Sequence, residues 1–479
     1  MPQHSRFRAQ LVYNRRMRIF TTLIVILVAA AGAAWYFAGR APGPAIEIAQ
    51  PLKHIGQTGE LVVNIDAPAG KLVALDAVLE QGTRRTPLFS LAGGNGAQLT
   101  REGDRLSLKR SIGKREIADL EAGAARIVVT AARPVLFGYR QVESTASRDI
   151  EVRLTAPHVA VQSTHHYINH GGSEMVVYQV RPADALSGVR VGDQEYPGFP
   201  ASGAGIPNAD PGLRVAFFAL LWNQDQNTPI QVFARDDVGN ESHATFEYRV
   251  FPKVFRKSRI TIDDRFLSKV VPAILQNTPE LQVENPSDLL GSFLRINRDL
   301  RRDNNALISS LAGKTSPQIL WQGPFKQLLN TAVEAGFADQ RTYVYGGKDV
   351  DQQVHLGFDL ASVANAPVQA ANRGKVLHAG WLGIYGNCVI LDHGMGLQSL
   401  YAHLSSISVK VGETVDTNAV LGHSGSTGLA GGDHLHFTML LAGNAITPID
   451  WWSPKWVQDR VIRKLREAGM VDTQQAAAQ

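Results

Sequence analysis

The stretch "IFTTLIVILVAAAGAAWYFA", residues 19–38, holds 20 residues without a charge. That is long enough to cross a bilayer as a helix. Trp35 and Tyr36 sit where an interfacial aromatic belt falls. Residues 1–18 carry Arg6, Arg8, Arg15, Arg16 and Arg18 and no acid, which predicts a cytoplasmic tail with the remainder of the chain exported. A signal peptide cleaved near Ala31–Ala34 is the competing reading.

The same arginines account for the charge. The formal net charge is +5, so the rest of the chain is balanced and a nucleic-acid partner is not expected. Cys388 is the one cysteine. A disulfide scaffold is excluded, and core packing has to hold an exported fold.

Beyond a stiff "RAPGPA" linker, residues 45–155 read as short alternating strands ("GELVVNID", "KLVALDAVLE", "AARIVVTAA") parted by clusters such as "AGGNGA". This predicts a β-sandwich. Residues 156–252 read as a second, Ig-like sandwich, with a hairpin turning at "DVGN". Residues 260–315 have helical spacing. Asp263 or Asp264 and Ser287 are expected N-caps, and Gly313 is an expected stop. The charges at 288–303 read as a solvated face or a partner surface. Residues 316–453 return to glycine-dense strands. Residues 454–479 read as a charged helix, about 455–468, and a polar tail. The expected class is mainly β: a transmembrane helix, two sandwiches, a helical connector and a C-terminal β-rich domain.

Half of the 14 histidines fall between residues 341 and 450. In "DHLHFTML", read as a strand, His434, His436 and Thr438 share one face, and Leu435, Phe437 and Met439 the other. In "VHLGFDL", His355, Gly357 and Asp359 share a face. A fully extended strand would set His355 and Asp359 about 13 Å apart, so one ion can take both only if the chain bends. Gly357 is the residue that permits it. "SLYAHLSS" places Tyr401 and His403 on one face by the same alternation. A single histidine framed in this way is usually a core or surface residue. Three such segments, one with an aspartate, point instead to a metal site. Histidine and carboxylate without thiolate suit zinc, and two histidines, one carboxylate and a water are a common catalytic set. No HExxH helix is present.

"HLGFD", "YGNCVILDHGMGLQSLYAHLSSISVKVGETV", "LGHSGSTG" and "GDHLHF" resemble the LytM/lysostaphin family of peptidoglycan zinc endopeptidases, in order and spacing, over about residues 340–450. The resemblance implies one zinc ion on His355, Asp359 and His436, with His403 and His434 assisting by positioning water and stabilising an oxyanion. It implies hydrolysis of peptidoglycan peptide bonds; together with the N-terminal helix it predicts an enzyme held in the inner membrane, its C-terminal part in the periplasm or cell-wall space. Cell-wall or division proteins are candidate partners of the sandwiches. The alternative is a non-enzymatic or autoinhibited module that binds the wall and activates another wall hydrolase, with the helical connector as the candidate blocking segment.

Other residues carry blander expectations. Cys388 reads as a small apolar core residue. His393 reads as turn packing near the site, and His378 and His423 as structural or exposed. "HHYINH" (His165 to His170) reads as a surface strand and turn. "GHSGSTGLAGG" lacks the ending of a phosphate-binding loop and reads as the rim of a groove.

Overall fold

The computed structural model describes residues 3–93 and 97–470. The polar tail from residue 472 and the middle of "AGGNGA" lie outside the described residues. The fold is mainly β with an N-terminal apolar helix. That helix runs over Gln3–Ala38. Its segment Arg15–Ala38 is long and apolar enough to cross a membrane, by length and composition.

The chain divides into two compact units, residues 1–156 with 237–240, and residues 157–236 with 241–479. The first holds two sheets. One contains Ala45–Gln50, Gly59–Asp66, Arg105–Ile112 and Gln98–Glu102, in that order; the other is five-stranded and centred on Gly123–Val135. Alternation explains the pairing. Leu61, Val63 and Ile65 face Leu75, Ala77, Ile127 and Val129 in one core. Each leucine, valine or isoleucine withdrawn from water contributes about 1.5–3 kcal/mol.

In the second unit, residues 157–252 form two four-stranded sheets and a short parallel pair, His166–Asn169 with Tyr248–Phe251. The hairpin around "DVGN" pairs Arg235 with Glu241. Their apolar core runs without a break into the C-terminal domain, where Trp451 packs on Phe217 with ring centres 5.6 Å apart. Lys464 of the C-terminal helix reaches Glu174 at 2.8 Å with both side chains fully buried.

The large C-terminal sheet orders Ala332–Ala335, Phe358–Ala361, Leu435–Leu441, Leu397–Leu404, Asn387–Gly394, Gly374–Trp381 and Thr414–Val415. Leu435, Phe437 and Met439 pack into the core shared with Trp451. The opposite face, with Cys388, Leu400, Ala402 and Leu440, is covered by Leu267, Val271, Phe293, Ile296 and Leu300 of the helical segment. That segment differs from expectation at its start. Residues Lys257–Thr261 form a strand parallel to Asp339–Tyr345, and the first helix, Asp264–Asn277, follows. Asp263 caps it, accepting from Phe266 N at 2.8 Å. The next helix, Leu289–Arg295, is capped by Asp288 rather than Ser287, because Asp288 Oδ1 takes Gly291 N at 2.9 Å.

Candidate metal centre

The run through "VHLGFDL" is not one strand. Lys348–His355 belongs to a three-stranded sheet and Phe358–Ala361 to the large sheet, with the break at Leu356 and Gly357. The bend returns Asp359 toward His355. A side chain at 357 would force its neighbours to shift: a Cβ there would lie 2.6 Å from the ring of His436. Asp359 and His436 are direct neighbours in antiparallel register.

His355 Nε2, His436 Nδ1 and Asp359 Oδ1 converge. The separations are 2.9 Å from His355 to Asp359, 3.0 Å from His355 to His436 and 3.0 Å from His436 to Asp359. All three residues are buried. The surrounding bonds fix where the protons are. His355 Nδ1 donates to the Gly336 carbonyl at 3.1 Å, leaving the lone pair on Nε2. Thr438 Oγ1 spends its proton on the Leu356 carbonyl at 2.8 Å, so at 3.0 Å it accepts from His436 Nε2. The His436 lone pair is therefore on Nδ1. Burial pushes His436 down to about 4, which keeps it neutral. Burial alone would raise Asp359, but its contacts with His355, His434 and His436 outweigh it and hold the carboxyl well below its ordinary range. Two nitrogen lone pairs and a carboxylate oxygen thus face one point. Such a set repels itself without a cation between its members, and it could hold a metal ion.

His403 enters by a bulge. Asn387 pairs with Leu404 and Val389 with Tyr401, so Ala402 and His403 oppose Cys388 alone. His403 has φ +61°, a left-handed conformation rare outside glycine. This corrects the expected alternation. Tyr401 packs on Phe437 at 5.3 Å in the core, while the His403 ring lies 4.9 Å from His434 and 5.7 Å from His436. His403 Nδ1 donates to the Thr427 carbonyl at 2.8 Å, and burial holds the ring well below its ordinary pKa, so Nε2 is an acceptor. His434 Nδ1 donates to the Gly432 carbonyl at 3.0 Å, with Nε2 3.5 Å from Asp359 Oδ1. Burial lowers His434, but the Asp359 contact outweighs it and the net shift is upward.

These groups line a cavity of about 600 Å³. Its far wall includes Ile262, Phe266 and Arg301 from the helical segment, with Tyr385 and the glycines of residues 431–432. Lys269 Nζ donates to the Gly431 carbonyl at 2.9 Å.

The remaining histidines lie elsewhere. His393 is a fully buried strand residue against Phe325 and Ser399, not part of a turn at the site. His378 is partly buried and donates to the Gly380 carbonyl; His423 contacts Ser406. In "HHYINH", His166 and His170 are buried rather than on the surface, with His166 bonded to the Glu247 carbonyl and His170 to that of Gln224. Cys388 is buried, which pushes its thiol far up and makes it inert. Sequence reasoning missed Arg341, whose guanidinium reaches Asp359, and the partner role of Thr438. The alternation Asp339, Arg341, Tyr343 in "DQRTYV" was the available signal for the first.

Residues 353–448 match the model of peptidase family M23. The DD-carboxypeptidase/endopeptidase Mpg of Neisseria meningitidis serogroup B is 38% identical over 97 residues, which are 20% of this chain and 22% of that protein. Lysostaphin of Staphylococcus staphylolyticus is 38% identical over 90 residues, 18% of this chain and 19% of that protein. The chain thus spans about a fifth of the length of these relatives. The solved catalytic domain of lysostaphin from Staphylococcus simulans is 30% identical, with 27% of this chain and 98% of that domain covered at a TM-score of 0.24. Residues 353–448 of this chain are a peptidase family M23 domain.

Proposed function

We propose that the chain is a membrane-anchored zinc metalloendopeptidase that hydrolyses cross-link or stem-peptide bonds of peptidoglycan. The observation that carries this reading is the convergence of His355 Nε2, His436 Nδ1 and Asp359 Oδ1 with their protons directed away. Those three residues would hold one zinc ion. When bound, zinc supplies Lewis acidity toward water and a scissile carbonyl. His403, an acceptor at Nε2, takes a proton from the attacking water. His434, facing the same point, stabilises the developing oxyanion. The cavity around them is within the size range of ligand-binding pockets. The DD-carboxypeptidase and endopeptidase activities for which the Neisseria relative is named support cleavage of this kind of bond. The helix Arg15–Ala38 supports an anchor in the inner membrane, with the remainder in the periplasm or cell-wall space.

The test is mass analysis of muropeptides released by the purified full chain, with and without chelator. Wild type releases cleaved peptides only without chelator. His436→Ala should bind no zinc and release none. Wild-type release by that variant would overturn the assignment.

One observation favours a restrained enzyme as a second reading. The helical segment walls the cavity, and Lys269 ties it to the rim at Gly431. Lys269→Ala should then raise turnover; an unchanged rate would argue for a permanently open groove.

A further inference from the structure

The two oxygens of Asp359 do different work. Oδ1 faces His355 and His436. Oδ2 accepts from Arg341 Nη2 at 3.1 Å. Arg341 Nε lies 3.5 Å from Asp339 Oδ2, which also accepts from Ser258 Oγ at 2.8 Å. Strand register builds this chain of contacts. Ser258 is the parallel partner of Arg341, and Asp339 stands opposite His355. The side chains are largely withdrawn from water, at 19% exposure for Arg341, 13% for Asp359 and 4% for Asp339.

A carboxylate held on one side only can rotate about its terminal bond and exchange its two oxygens. A guanidinium on Oδ2 removes that freedom and leaves Oδ1 alone toward the histidines. It also separates two buried carboxylates, Asp339 and Asp359, whose mutual repulsion would otherwise turn Asp359 away. We propose that Arg341 is a positioning residue for the metal-ligating carboxylate, braced by Asp339 and Ser258. The metal centre then extends beyond residues 353–448 to the strands Lys257–Thr261 and Asp339–Tyr345. This inference rests on the metal-binding reading above.

The experiment measures the zinc affinity of the full chain by competition with a chromophoric chelator, alongside thermal melting and turnover. Loss of an outer partner of a metal ligand lowers affinity by about 10- to 100-fold. Arg341→Met should show a loss of that size, with turnover recovering at saturating zinc. Arg341→Lys should recover part of the affinity, since charge returns without the planar fork. A lower melting temperature with zinc affinity within about twofold of wild type would make Arg341 a merely structural residue and overturn the proposal. If Arg341→Met does not fold, Asp339→Asn decides: a weaker zinc complex supports the chain of contacts, and wild-type affinity overturns it. Failure of the wild-type chain to bind zinc would instead bring down the functional reading itself.

Discussion

Gly357→Ala tests the geometry of the candidate metal centre. The glycine's φ lies outside the left-handed region, so alanine can adopt its backbone without strain. The conflict is steric and local. The new Cβ would stand 2.6 Å from His436 Cε1 and Nε2 and 2.5 Å from Thr438 Oγ1, where ordinary contact begins at 3.4 Å. The ring has to retreat by about 0.8 Å, or its strand has to move by as much. Sites of this kind tolerate about 0.5 Å. The ring has little room to give, since Thr438 holds Nε2 at 3.0 Å and Tyr385 lies 5.8 Å away across its face. We therefore expect zinc affinity to fall at least about tenfold and turnover to fall about 100-fold. Overpacking should cost about 1–3 kcal/mol of stability. Chelator competition, muropeptide turnover and thermal melting on the same preparation separate these effects. A Gly357→Ala chain with wild-type zinc affinity and wild-type turnover would refute the account, because it would show that His436 Nδ1 need not occupy its observed position.

Other changes test the remaining parts. His403→Ala and His434→Ala should each keep bound zinc and lose about 10²- to 10⁴-fold in turnover; loss of zinc from either would reassign it as a ligand. Thr438→Val removes the acceptor of His436 Nε2 and the donor to the Leu356 carbonyl, so zinc binding should weaken severalfold, and an unchanged affinity would refute the proton assignment. Asp450 gives a stability test away from the site: burial raises its carboxyl to about 6 from an ordinary 3.8. The folded chain then binds an extra proton between about pH 4 and 6, and stability falls as pH rises through that window, by about 3 kcal/mol. Asp450→Asn should accordingly gain on wild type in melting temperature from pH 4 to pH 7, and a pH-independent difference would contradict this.

The parts of the site that the sequence makes legible are those governed by short-range alternation. Leu435, Phe437 and Met439 are buried on one side, so His434, His436 and Thr438 had to share the other. Gly357 marked the break because only a bend could bring His355 and Asp359 together. The failures have a common cause. The bulge at Ala402–His403 carries no glycine, asparagine or proline to announce it, and it exists because Cys388 faces two residues across a register set elsewhere in the sheet. The burial of His166 and His170 depends on Phe246 and Phe255, about 80 residues away in sequence. Asp288 displaced Ser287 as a cap through a one-residue choice that propensity does not resolve. Arg341 acquires its role from a parallel strand and a sheet neighbour, neither of which local pattern can supply.

The proton assignments say where the specificity of this centre resides. His355, His403 and His434 are each oriented by a main-chain carbonyl, those of Gly336, Thr427 and Gly432. Backbone acceptors are present whatever side chain the residue carries, so these orientations are properties of the loop paths. His436 alone depends on a side chain, Thr438, and Asp359 alone on a charged partner, Arg341. The site therefore has two points at which side-chain chemistry, as distinct from fold, sets the geometry of a candidate ligand. The strained φ of His403 costs on the order of 1–3 kcal/mol, and it persists because Leu400, Tyr401, Ala402 and Leu404 around it are fully buried. A strain held by core packing cannot relax when the cavity is empty, so His403 should keep the same orientation in the apo and zinc-bound chains.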